Sequence, residues 1–118
     1  MKLIYCLLFI ISLTGCSPEH DISPQDVGEI TVLFDQKMHS YKPGSHVHTK
    51  LTSWLSQNRD GWEKYYATPA IGKYVIKSDS FTLYVNRNSA VLNYKNSSGE
   101  YSQISRVANI KDFDFIDK

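Results

Sequence analysis

From Gly72 to Val107 the chain alternates, and the breaks in that alternation are turn residues. Lys73 to Lys77 reads as a strand and Ser78-Asp79-Ser80 as a turn. Phe81, Leu83 and Val85 then alternate with Thr82, Tyr84 and Asn86. Successive side chains on a strand point to opposite faces, so this spacing separates two faces. Arg87-Asn88 is a tight turn before a strand from Ala90 to Lys95. Asn96-Ser97-Ser98-Gly99 turns the chain again, and Tyr101 to Val107 is the next strand. Short strands joined by Asn, Ser and Gly turns are the signature of an antiparallel meander.

Upstream the period changes. Glu29 to Phe34 is rich in β-formers and reads as a strand. Tyr41-Lys42-Pro43-Gly44-Ser45 is a turn, and Ser45 is an N-cap for a helix from His46 to about Gln57. Val47, Leu51, Trp54 and Leu55 fall at i, i+4, i+7 and i+8, which is one helix face. Asn58-Arg59-Asp60-Gly61 ends the helix, because Asn and Gly tolerate positive φ. Trp62 to Ala67 fits either a helical turn or a strand. In the tail, Ile110, Phe113 and Ile116 are three apart while Phe113 and Phe115 are two apart; a closing strand is the expectation. The fold class is therefore α+β, with one main helix packed on a curved antiparallel meander of about four to six strands.

Few residues gather into a chemical constellation. His39, His46 and His48 lie close in sequence near Asp35. Residues two apart on a helix do not share a face, so His46 and His48 read as surface histidines rather than metal ligands. Ser78, Asp79 and Ser80 have no glycine elbow around them and read as a turn. Asp112 and Asp114 alternate with Phe113 and Phe115 as on a two-faced strand. With Asp117 they form no calcium loop, which needs a glycine turn. The expectation is no catalytic residue, no metal and no cofactor, hence not an enzyme. The densest chemistry is aromatic. Trp54 belongs to the helix's apolar stripe, whereas Trp62, Tyr65, Tyr66, Tyr84 and Tyr94 are the candidate partner-binding residues. Exposed Tyr and Trp are favoured in binding patches.

The first sixteen residues carry an address. Lys2 supplies a positive charge, and Leu3 to Leu13 is uncharged. That run matches a signal-peptide apolar core and is too short to span a bilayer core of roughly 30 Å as a helix. It ends in Leu13-Thr14-Gly15-Cys16. This segment resembles that of the bacterial lipoproteins, whose lipobox it matches position by position. The resemblance implies cleavage after Gly15, diacylglycerol on Cys16 and acylation of the new amino group. Ser17 in place of Asp after the cysteine implies the outer membrane, facing the periplasm. Several acyl chains on one Cys anchor firmly, whereas a single chain holds only marginally.

On this reading residues 1–15 are a cleaved signal peptide. Residues 16–27 are the lipidated Cys and a flexible tether, polar and twice interrupted by proline, and 28–118 form a single domain. Cleavage removes one Lys and no acid, leaving 12 basic and 12 acidic residues. A neutral surface argues against nucleic acid, which needs a basic footprint, and the membrane is met through the lipid. Cys6 goes with the signal and Cys16 is consumed by the anchor. The mature chain thus has no free thiol and no disulfide, and packing must stabilise it.

Three function classes follow. A neutral, Tyr-rich domain at the envelope suits capture of a protein partner, and its expected form is an immunity protein that neutralises a toxin or effector delivered to the envelope. Leu51-x-x-Trp54-Leu55 followed by Asn58-x-x-Gly61-Trp62 resembles small lipoproteins encoded beside secreted effectors, a likeness that carries over no functional residue. The alternatives are an assembly accessory of an envelope or secretion apparatus and, less favoured, a small envelope enzyme.

Overall fold

The computed structural model describes residues 19–117. The export segment and its lipobox lie outside the described residues. Seven strands make one antiparallel sheet in the order β2-β1-β4-β5-β6-β7-β3: β1 Ile30–Phe34, β2 Lys37–Tyr41, β3 Glu63–Lys64, β4 Tyr74–Lys77, β5 Phe81–Val85, β6 Ser89–Lys95 and β7 Tyr101–Val107. One α-helix, α1 (His46–Gln57), joins β2 to β3. The fold is α+β, with one main helix on an antiparallel sheet. Among the described residues no helix is long and apolar enough to cross a membrane.

The meander follows the alternation. Val32, Ile76, Leu83, Leu92 and Ile104 are register partners from β1 to β7, and all five are buried. They form one apolar row across the inner face. Helix α1 begins where Ser45 caps it, its Oγ accepting from the His48 N–H at 3.3 Å. The helix lays Val47, Leu51, Trp54 and Leu55 into the core.

Three features depart from the sequence expectation. Seven strands replace the expected four to six. The added strands are β2 and the short β3; β2 hairpins onto the expected β1 through Asp35 and Gln36, both at positive φ (53° and 63°). Two left-handed residues in succession match the strand twist of a tight hairpin. The tail is a 3-10 helix from Ile110 to Asp117 rather than a closing strand. Its turn holds three residues, so side chains three apart eclipse on one face. Ile110, Phe113 and Ile116 meet that period, and the last two are buried.

The tether is the third departure. Residues 16–27 are expected to be flexible, yet from His20 the chain packs onto the domain. His20, Ile22 and Val27 are buried, and Pro24–Asp26 is a 3-10 turn between them. Three apolar or aromatic side chains in eight residues are enough to be held when each finds a pocket and the backbone between them finds partners.

Candidate functional site

Strand β3 pairs with β7 at one sheet edge, while β4 lies four places inward. Residues 65–73 must bridge that interval of about 19 Å, well within the reach of nine extended residues. They leave along the outer face. Gln103 faces outward beside Asn93, and its Nε2 donates to the carbonyls of Tyr65 (3.0 Å) and Ala67 (2.8 Å). Val75 and Val91, whose parity turns them away from α1, are nevertheless buried at 5% and 3% exposure. The connection crossing that face accounts for their cover. It closes at Gly72, where an added Cβ would collide with the Val85 carbonyl and the Asn86 side chain. Only glycine lets the backbone come so near β5.

This outer connection carries two exposed large side chains. Tyr66 is 89% exposed and Ile71 is 78% exposed. Ile71 also lines a shallow hollow with Leu33, Asp35, Gln36, Lys73 and Val75. Met38, the register partner of Leu33 on the same face, is likewise exposed. Isolated exposed apolar residues need no explanation, but here they continue a half-buried row through Leu33 and Tyr84.

The candidate partner-binding residues divide. Tyr66 is fully presented, and Tyr65 and Tyr84 are half-buried. Trp62 and Tyr94 are core residues and present no surface to a partner. Trp62 is 1% exposed; its indole N–H donates to the Asn58 carbonyl at 2.6 Å. His20 meets its ring edge-on at 6.0 Å, Trp54 does so at 6.1 Å, and the Arg106 guanidinium lies 5.7 Å from it. Tyr94 is closed over by the packed segment 19–28, the strap, its hydroxyl donating to the Glu19 carbonyl at 3.0 Å. Burial raises the Tyr94 phenol pKa, and the nearby Asp21 carboxylate adds to that. Ile71, not a candidate from sequence, joins the site because of where the connection runs.

The histidines go to separate places. His39 is exposed on edge strand β2, and His46 is exposed at the first residue of α1. His48 is buried, contrary to a surface role, and its Nε2 donates to the carbonyls of Val27 and Gly28, both at 3.0 Å. No group of three or more His, Cys, Asp or Glu among the described residues is placed to hold a metal ion. Asp112 and Asp114 sit on the 3-10 tail rather than on a strand.

His20 fastens the strap. Its Nε2 donates to the Leu55 carbonyl at 2.7 Å and its Nδ1 accepts from the Ile22 N–H at 3.2 Å, a pattern that needs the neutral ring. Burial lowers its pKa from the ordinary 6.5, the Leu55 carbonyl bond opposes that, and Arg59 reinforces it. Its own N–H donates to the Arg59 carbonyl at 3.2 Å, and Asp21 accepts from the Ser97 N–H at 2.9 Å.

A cleft of about 610 Å³ opens between α1 and the 3-10 tail, lined by Lys50, Ser53, Trp54, Gln57, Asn58, Asp112 and Phe115. It is polar and open. No protein-family model, curated protein or solved structure matches this chain.

Proposed function

We propose that this chain is a lipid-anchored envelope protein that captures a protein partner, in the form of an immunity protein neutralising a toxin delivered to the envelope. Cys16 is its anchor and the outer sheet face its capture surface. The observation that carries the reading is the connection 65–73, which is fixed at Gln103 and at Gly72 while turning Tyr66 and Ile71 into solvent. An aromatic held out by a fixed backbone gives large contact area at little ordering cost.

The test is competition at the cell surface. Cells lacking the gene should be killed by the toxin-producing parent and rescued by the wild-type chain. Tyr66→Ala with Ile71→Ser should fail to rescue while accumulating normally. Full rescue by that double variant sinks the surface, and a deletion strain that suffers no killing but loses an envelope apparatus sinks the immunity role in favour of assembly. Cys16→Ala should leave the chain unprocessed or soluble, and a processed, membrane-bound variant would remove the anchor from the reading.

A further inference from the structure

A leash of twelve residues would let the domain wander from the bilayer. The structure shortens it. Glu19 is held through its carbonyl by Tyr94, His20 is sunk between Leu55 and Trp62, and Asp21 is bonded to the turn between β6 and β7. Farther along, His48 clamps the carbonyls of Val27 and Gly28. The strap therefore has fastenings at both ends, and its start is a fixed point on the domain. Only Ser17 and Pro18 separate that point from Cys16. Three residue steps reach at most about 11 Å, so a lipid on Cys16 leaves the domain no room to stand away.

We propose that the corner of the domain around Glu19, beside Arg59 and formed by the β6–β7 turn from Asn96 to Glu100 with Tyr101 at the start of β7, rests on the lipid headgroups; this rests on the reading that Cys16 is acylated. The chemistry of the corner suits that contact. Tyr101 is 79% exposed with the Lys95 ammonium 5.9 Å from its ring centroid. An aromatic with a polar tip beside a cation on a long stem is the pairing that settles at a membrane interface. Arg59 and Lys95 are outnumbered by Glu19, Asp21 and Glu100 at this corner, so its charge gives no pull towards anionic lipid. The short attachment, not attraction to anionic lipid, holds it down.

The consequence is orientation. Strand β6 is seven residues long, about 23 Å, and the turn at Arg87-Asn88 lies at its other end. That end, with the Asp35-Gln36 turn and the Ile71 hollow, points away from the bilayer. The Ile71 end of the capture surface then faces an arriving protein, while Tyr66, flanked by the two residues bonded to Gln103, lies on the half nearer Tyr101 and the bilayer.

The full acylated chain in vesicles of phosphatidylethanolamine with a minor share of phosphatidylglycerol tests this. Cys16 is consumed by acylation, so Ser97→Cys or Arg87→Cys takes a single fluorophore. With a quencher on the lipid headgroup, the label at 97 should be strongly quenched and the label at 87 left at background. A Gly-Ser linker of about twenty residues after Pro18, with a mean span of about 25 Å, should bring position 97 down to the level of 87. Quenching at 97 should persist in high salt and without phosphatidylglycerol. Equal quenching at both positions, no effect of the linker, or loss in high salt overturns the proposal. Mass spectrometry of the Cys16 peptide separates the two failures. An unmodified Cys16 removes the anchor and this inference together, whereas an acylated Cys16 with no quenching at 97 removes this inference alone.

Discussion

Trp62 and Tyr66 are four residues apart and meet opposite fates. Trp62 is packed among His20, Trp54 and Arg106 with its N–H bonded; Tyr66 is almost wholly in solvent. The contrast extends to the two coverings of the sheet. On the inner side the strap, α1 and the 3-10 tail interlock through side chains, Trp54 to Phe113 at 4.9 Å and Phe113 to Phe115 at 6.1 Å. On the outer side the connection 65–73 is fastened through its backbone, by Gln103 at one end and the close approach of Gly72 at the other. A segment held by its carbonyls does not need its side chains for stability. Those side chains are then free to serve recognition, which is why the two coverings should respond differently to mutation.

The strongest way to break this comparison is to truncate one residue on each side. Trp62→Ala empties a fully buried site that three aromatic or cationic groups share and should cost about 3–5 kcal/mol. For a domain of this size that lowers Tm by at least about 12 °C. Thermal denaturation followed by near-ultraviolet circular dichroism checks it, and a loss below about 1 kcal/mol would mean the inner cluster is not the keystone. The outer covering has its own sensitive point in Gly72, but for a backbone reason. Gly72→Ala forces a Cβ toward the Val85 carbonyl and should cost about 1–3 kcal/mol. Urea unfolding should show it, with Gly28→Ala near neutral because nothing lies within 4 Å of a Cβ there.

The strap is sharpened by pH. His20 is bonded as the neutral ring, and burial holds its pKa below the ordinary 6.5. The unfolded chain then binds more protons than the folded one as pH falls below about 6.5, so stability declines toward acid. Above that pH the contribution is fully present. The slope of unfolding free energy against pH from 7.5 to 5.5 should be shallower in His20→Gln than in the wild type. Equal slopes would mean the ring is protonated in place.

What could be read in the sequence follows from how local each signal is. The meander and α1 announce themselves through period and through Ser45, whose bond to His48 N–H spans three residues. The β1–β2 hairpin stayed hidden because Asp35-Gln36 holds two left-handed residues without a glycine to mark them. The tail was legible in its three-residue spacing, but the two-residue spacing of Phe113 and Phe115 competed with it, and packing against Trp54 decided. The strap could not be read at all. His20, Ile22 and Val27 form no period among prolines and acids, and the partners of this stretch, from His48 to Ser97, come from 20 to 76 residues away. At the candidate site, Tyr66 was visible as an aromatic. Ile71 was not, because one aliphatic in a loop is a pattern only once the loop's path is known.

The smallest effect on stability is the most informative about function. Tyr66→Ala removes a side chain that is 89% exposed, so its unfolding free energy should stay within about 0.5 kcal/mol of wild type. On the proposed function, losing this aromatic should instead cost at least about 2 kcal/mol of binding to the protein partner, roughly thirtyfold in Kd. Tyr84→Ala is the control that gives the comparison its edge. Tyr84 is half-buried beneath the connection, between Val75 and Val91, so its loss should lower stability and binding together. Calorimetric titration alongside urea unfolding separates the two. If Tyr66→Ala destabilises the fold as Tyr84→Ala does, the outer covering is held by its side chains after all, and its claim to be a free recognition surface falls with that result.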